Sequence, residues 1–311
     1  MTASTALGPG REFDIIRGLL ARWGERARGI GDDAVTLDVP PGERLVVSTD
    51  SSVEDVHFKR EWLAPHEIAY RAAAAALSDL AAMAAMPLGI LVTLALPEPW
   101  LEQVSELADG IGEAARLAQT HVVGGDLSAA HELSLGITVL GSAAAPRVRS
   151  GARPGDSVYV TGRLGGPLAA LRAWAAGLPP EHDARERFAH PLPRLREAQW
   201  LARHGARAAI DISDGLLGDV AHIAAASGVR IVLDLDRLLT MSGVSVTDAA
   251  RSGEEYELIV AAPPGLSLTA FEREFHLPLV EIGRVERGAP SVSATSHGER
   301  VASTGGFSHF S

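Results

Sequence analysis

Apolar positions recur at helical spacing over Glu12–Trp23, where Phe13, Ile16, Leu19, Leu20 and Trp23 share one face. The pattern then shortens. Val35–Val39 predicts a strand closed by Pro40-Pro41-Gly42, and Leu45–Asp50 predicts a second strand whose last residues all offer oxygen ligands. Pro65 opens a predicted helix that runs to about Met86 and stops before Pro87. Leu88–Leu96 reads as a buried strand, Trp100–Thr120 as an amphipathic helix, His121–Asp126 as a strand ending in Gly-Gly-Asp, and Leu133–Leu140 as another strand. Periodicity is lost over Ala143–Asp156, which is rich in Ala, Pro, Arg and Gly and marks a domain boundary. Beyond it come a strand at Ser157–Thr161, a glycine turn, and a helix at Pro167–Trp174. Glu181–Arg196 is charged and predicts a surface segment. Strands follow at Ala208–Ile210, Val229–Leu235, Leu258–Ala262 and Val280–Val285, with a helix reaching Ser227 and ended by Gly228. Strands and covering helices therefore mix in both halves, predicting two α/β domains at residues 1–148 and 149–311.

Composition narrows the class. Of 311 residues, 46% are hydrophobic, enough for a substantial core. The longest Ala-rich stretch, Ala72–Met86, is interrupted by Ser78 and Asp79, so no bilayer span is expected. Cysteine is absent, which excludes disulfides, thiolate metal sites and a cysteine nucleophile. With no basic-then-apolar leader at the start, these features predict a cytoplasmic protein. The net charge of −11 and the lack of a Lys/Arg cluster argue against a nucleic-acid partner. Lys59 is the one lysine, so a Gly-x-x-x-x-Gly-Lys-Ser/Thr phosphate loop is excluded.

The candidate chemistry is acidic. Gly29-Ile30-Gly31-Asp32-Asp33-Ala34 puts two carboxylates side by side in a glycine-lined turn, either a plain turn or a cation site. Acids recur at strand ends: Asp50, Asp126, Asp211 and Asp214. Asp79 falls on the apolar stripe of its helix with Ile68, Ala72 and Ala75, where burial demands a cap, an Arg partner or a metal. Gly124-Gly125-Asp126 lets backbone N–H groups approach a phosphate beside an acid. In Asp211-Ile212-Ser213-Asp214, helix capping accounts for one oxygen and leaves the others to be explained. The expectation is that these acids converge on cations that hold a polyphosphate.

Taken in order, the motifs resemble those of the thiamine-monophosphate kinases, within the wider family that includes aminoimidazole ribonucleotide synthetase. The matching stretches are Gly29–Ala34, Val47–Asp50 with Val56-His57-Phe58, Leu77–Met83, Gly124–Asp126, Arg149–Asp156, Ile210–Leu216, Gly253–Leu258 and His309-Phe310. The resemblance implies a two-domain α/β (α+β) fold of the aminoimidazole ribonucleotide synthetase type. The N-terminal domain would bind ATP and Mg²⁺ and pair its sheet with a second copy into a barrel, making a homodimer; the C-terminal domain would close the active-site cleft. It implies ATP-dependent phosphorylation of thiamine monophosphate. Carried over by position, Asp33, Ser48, Thr49, Asp50, Asp79, Asp126, Asp211 and Asp214 would bind Mg²⁺. Gly125, Asp126, Arg149 and Ser213 would meet ATP, and His57, Glu254 and Phe307 the thiamine phosphate. Read without its neighbours, His57 is equally a packed or surface histidine.

The chain departs from the family pattern in three places. Leu127-Ser128-Ala129-Ala130 stands where two threonines and an arginine are usual, Ser252 and Glu255 replace a glycine and an aspartate, and Ser308 replaces an aspartate. The alternatives are a sibling ATP-dependent synthetase and a non-catalytic nucleotide-sensing dimer. Siblings that need a reactive cysteine lose ground in a chain without one.

Overall fold

The computed structural model describes residues 9–302. The expected Phe307 contact and the terminal His309-Phe310 motif lie outside the described residues. Contacts divide the chain into two compact units. The first runs to Leu80 and resumes over Ala85–Ala145; the second holds Ala81–Ala84 and everything from Pro146.

In the first unit, α1 (Arg11–Trp23) is followed by the Gly29–Ala34 turn. Val35–Val39 has no regular secondary structure and is not the expected strand. Its apolar alternation finds no ladder partner among the described residues, and alternation without a partner makes no sheet. Next come β1 (Arg44–Val53), α2 (Pro65–Ala82), β2 (Met86–Leu96), α3 (Val104–Leu117), β3 (Val122–Ala129) and β4 (Ser134–Ala143). The order across the sheet is β1-β4-β2-β3.

Helix α2 ends four residues sooner than periodicity suggests. Ala84 takes a left-handed φ of 49°, and Ala85 N bonds back to Leu80 O at 2.8 Å, which turns the chain straight into β2. Pro87 is tolerated inside β2 because the pairing with β4 shifts register between Pro87 and Gly89. The predicted Trp100–Thr120 helix starts as a 3₁₀ turn over Glu98–Gln103 before α3 takes over. Gly110 is where α3 meets α2: a Cβ there would lie 2.1 Å from His66 O. Trp23 anchors α1 to α3, its Nε1 donating to Ala108 O at 2.9 Å. Strand β3 does not stop at Asp126 but runs on through Leu127-Ser128-Ala129, pairing with β2.

The second unit contains β5 (Ser157–Thr161), α4 (Gly166–Ala175), α5 (His182–Ala189), α6 (Leu195–Arg203), β6 (Ala208–Asp211) and α7 (Leu216–Ser227). These lead to β7 (Arg230–Asp234), α8 (Val246–Ala249), β8 (Leu258–Ala262), α9 (Leu268–Phe275), β9 (Leu279–Glu286), β10 (Ser291–Ser296) and β11 (Glu299–Val301). The seven-stranded sheet runs β11-β10-β7-β9-β5-β8-β6, with β10 parallel to β7 and the other pairs antiparallel. Val158, Val160, Ile210, Ile259 and Ile282 form its core together with Leu216, Val220 and Ile223 of α7.

Glu181–Arg196 is not the surface segment that its charge suggests. It forms α5 and the start of α6, buries Phe188, and sends Arg187 and Arg194 inward to buried glutamates. A charged run suggests a solvated face, whereas here opposite charges in another segment satisfy it inside. Among the described residues, no helix is long and apolar enough to cross a membrane.

Candidate functional site

The site begins with the alternation along β1. Asp50 pairs with Ile137, Ile137 with Val92, and Val92 with Gly125, so these four form one row across the sheet. Ser48 lies two residues back and shares that face. Ile137, Val139, Ile90 and Val92 on the same face are fully or nearly fully buried. Two oxygen-bearing side chains of β1 are therefore turned to the covered side of the sheet, where α2 supplies Asp79. Ser48 Oγ donates to Asp79 Oδ2. Burial first, and the charge of Asp79 second, push the Asp50 carboxyl up to about 6. The Ser48 hydroxyl, bonded to Asp79 and on the same strand face as Asp50, makes with the two carboxylates an oxygen-only donor set suited to a hard divalent cation.

The other expected ligands of this unit are placed differently. Thr49 and Asp126 belong to alternate rows. Thr49 pairs with Thr138, whose Oγ1 donates to Thr49 Oγ1 at 2.9 Å, and Asp126 pairs with Thr93. Their face is the open one, on which Leu45 and Val47 are about half exposed. Asp126 is thus three strand spacings from Asp50, about 14 Å, and directed to the opposite side. Asp33 is exposed in its turn. The structure brings Ser48, Asp50 and Asp79 together and turns Thr49 and Asp126 to the other face of the sheet. Gly125 has a backbone reason to be glycine: a Cβ would lie 1.9 Å from Val92 O.

His57 is held just beyond β1. Val53 N donates to its Nδ1 at 3.1 Å, and His57 N donates to Val53 O at 2.9 Å. With Nδ1 accepting, the proton of the neutral ring is on Nε2.

In the second unit the candidate residues cluster where two loops run side by side. Ile212 N donates to Glu257 O at 2.8 Å, Glu254 N to Ser213 O at 2.7 Å, and Tyr256 N to Ile212 O at 2.9 Å. This ladder sets Ser213 and Asp214 next to Glu254, with Asp211 buried at the end of β6. Gly253 allows the approach, since a Cβ there would lie 2.6 Å from Ser213 O. Arg149 sits in a loop fixed by Ser227. Its Oγ donates to Arg149 O at 3.1 Å and accepts from Gly151 N at 3.1 Å and Ala152 N at 3.2 Å.

Five residues here lie outside the candidates drawn from the sequence: Asp219, His222, Glu257, Arg187 and Arg194. Asp219 of α7 is buried, and its Oδ2 accepts from the backbone N–H groups of Ser213, Asp214 and Gly215 at 3.2, 3.2 and 3.1 Å. Burial, and then the charge of Asp214, push it up to about 7. Ligand atoms of Asp214, Asp219 and His222 all lie within 4.8 Å of one another. The signal for Asp219 was an acid on the apolar stripe of a helix, the same signal that singled out Asp79. Glu257, Arg187 and Arg194 form a buried ion network: Arg194 Nε donates to Glu257 Oε2 at 2.8 Å, and Arg187 Nη2 is 3.1 Å from Glu257 Oε1. No local pattern announces a contact across more than sixty residues.

Comparison with known proteins fits this arrangement. The model of the AIR synthase related protein N-terminal domain matches residues 31–143, and that of its C-terminal domain matches residues 153–294. The thiamine-monophosphate kinase of Salmonella typhimurium is 38% identical over 271 residues, covering 79% of this chain and 82% of that protein. The chain belongs to the thiamine-monophosphate kinase family. A crystal structure of the thiamine-monophosphate kinase from Stenotrophomonas maltophilia K279a superposes with a TM-score of 0.82 at 33% identity, covering 94% of this chain and 98% of that one. The structure of AaThiL complexed with AMPPCP and TMP superposes with a TM-score of 0.75 at 28% identity, over 94% of this chain and 96% of that one. Family membership also supplies the two-domain fold found here.

Proposed function

We propose that the protein transfers the γ-phosphoryl group of ATP to the phosphate of thiamine monophosphate, giving thiamine diphosphate and ADP. The observation that carries this reading is the Ser48–Asp50–Asp79 cluster in a chain of this family. Its carboxylates are oxygen donors forced together out of water, and burial with mutual repulsion raises Asp50. That is the donor chemistry of a Mg²⁺ site. Held by these residues, Mg²⁺ would supply positive charge against the negative charge that develops on the phosphates during transfer. Asp33, Thr49, Asp126, Asp211 and Asp214 complete our ligand set, with Asp126 serving the open face of the sheet and so a different oxygen or ion from Asp50. Gly125, Arg149 and Ser213 hold the nucleotide, while His57, Glu254 and Phe307 hold the acceptor.

This chain's own task is positioning. In-line transfer between two phosphates needs no covalent protein intermediate, so the residues orient donor and acceptor and hold charge. The open face bearing Leu45 and Val47, with Met86 also half exposed, supports pairing with a second copy into a homodimer. We take residues 1–148 as the nucleotide-binding and dimerising domain and 149–311 as its partner domain. A donor supplied as ATP supports a cytoplasmic setting.

The test is incubation of the purified protein with ATP, Mg²⁺ and thiamine monophosphate, followed by separation of the products. Stoichiometric thiamine diphosphate and ADP are expected. Binding of ATP without turnover would favour a sensor, and turnover only with another acceptor a sibling synthetase.

A further inference from the structure

Ser252–Tyr256 carries the proposed acceptor contact and is bent out of ordinary backbone space. Glu254 and Tyr256 have φ of 59° and 53°, the left-handed region that residues with a side chain avoid. Such a bend persists only where surrounding contacts over-determine it. Glu255, between the two, turns inward and is 1% exposed. Its Oε1 accepts from Gly165 N. Its Oε2 lies 3.3 Å from Arg187 Nη2, which also donates to Glu255 O at 3.1 Å. Ser252 is fully buried, and its Oγ accepts from Leu168 N at 3.2 Å and donates to Gly253 O at 3.4 Å. Gly165 and Leu168 are the N-cap and an early residue of α4, whose N–H groups the helix itself leaves without partners. The loop is therefore bolted on one side to the start of α4 and to Arg187. On the other side Glu254 N, Glu255 N and Tyr256 N are spent on Ser213 O and Ile212 O. Ser252 and Glu255 are two of the positions where the chain departs from the family pattern, and both are fastened to the first turn of α4.

We infer that Ser252, Glu255 and Arg187 act as a brace that positions Glu254 for the acceptor phosphate compound. They are positioning residues: none is placed against substrate, and each acts through the backbone of the loop. The inference rests on the kinase reading and on Glu254 as an acceptor contact. A brace of this kind bears on acceptor affinity more than on ATP affinity, because the nucleotide contacts Gly125 and Arg149 lie on other segments and Ser213 meets this loop only through its backbone oxygen.

The experiment measures KM for thiamine monophosphate, KM for ATP, kcat and melting temperature in the full-length enzyme and in Glu255→Gln, Ser252→Ala and Glu254→Gln. Glu255→Gln keeps the volume and removes the charge that Arg187 meets. It is expected to raise the acceptor KM by about tenfold while the KM for ATP stays within about twofold of wild type. Ser252→Ala is expected to move the same constant in the same direction by less, and it carries the test if Glu255→Gln does not fold. An unchanged acceptor KM in both variants would overturn the brace. So would a parallel loss of both KM values and melting temperature, which marks a purely structural role. Wild type that makes no thiamine diphosphate, or a Glu254→Gln variant with the wild-type acceptor KM, sinks the reading beneath it. Wild-type turnover with a shifted Glu254→Gln and unshifted brace variants sinks the brace alone.

Discussion

Asp50 in the first unit and Glu257 in the second are both carboxylates drawn out of water, and the protein treats them in opposite ways. Around Glu257, burial works to raise the carboxyl, but Arg194 and Arg187 outweigh it, and Arg194 and Thr161 add hydrogen bonds, so the group is held below its ordinary value. Around Asp50, burial and the neighbouring Asp79 act in the same direction and push the group up to about 6. One acid is neutralised by its own chain. The other is left with a second acid beside it. A buried charge that its own protein compensates is part of the framework, while a pair of acids packed together calls for something from outside. The contrast separates supporting carboxylates from ligand carboxylates without any appeal to motif.

The largest effect that would break this contrast is at Asp50. Asp50→Asn is expected to lower kcat/KM by about 10³-fold, ~4 kcal/mol of transition-state stabilisation, with the far-ultraviolet spectrum unchanged. A variant with wild-type turnover removes Asp50 from the site. On the opposite side, Arg194→Met leaves Glu257 buried with only part of its compensation. It is expected to cost about 3 kcal/mol of stability in chemical denaturation, where Asp50→Asn costs none.

How much of this was visible beforehand differs between the same two residues. Asp50 and Asp79 were legible because each breaks a local rule, an acid at the end of an apolar strand and an acid on an apolar helix stripe. Their meeting was not legible, since it depends on which face of β1 the register selects. Alternation along β1 already sets Thr49 on the face opposite Ser48 and Asp50, whereas the place of Asp126 depends on pairing between strands, which no single strand reveals. Arg194 and Glu257 were misread because the 181–196 segment looks soluble until the glutamate sixty-three positions later is known to be its partner. Strands β5 and β8 were placed correctly to the residue, being short buried runs between clear breakers. Strands β10 and β11 were passed over because short, polar strands at the margin of a sheet carry little hydrophobic signal.

A gentler test uses pH. A carboxyl raised in the folded state adds stability that is complete below its unfolded value of 3.8 and is lost as pH climbs through about 6. Metal-free wild type is therefore expected to melt about 2–4 °C lower at pH 7.5 than at pH 5. Asp219 and Glu255, each raised to about 7, add to the same trend. Asp50→Asn should remove the Asp50 share and leave the rest, and Mg²⁺ should restore wild type at pH 7.5 more than at pH 5. A pH dependence that is identical in the two proteins would contradict the repulsion described here. The smallest expected effect is at Ser227, whose hydroxyl holds the Arg149–Ala152 loop through three hydrogen bonds. Ser227→Ala is expected to cost about 1 kcal/mol of stability and to raise the KM for ATP modestly, by steady-state kinetics.

The contrast between the two acids is tested most directly by titrating Mn²⁺, an electron-paramagnetic stand-in for Mg²⁺, into wild type, Asp50→Asn and Glu257→Gln at pH 7.5, and counting bound ions by the loss of the free-ion signal. Wild type and folded Glu257→Gln are expected to bind the same number of ions, and Asp50→Asn fewer. Equal binding by wild type and Asp50→Asn would contradict the assignment of the Asp50–Asp79 pair as the place where the cation is held.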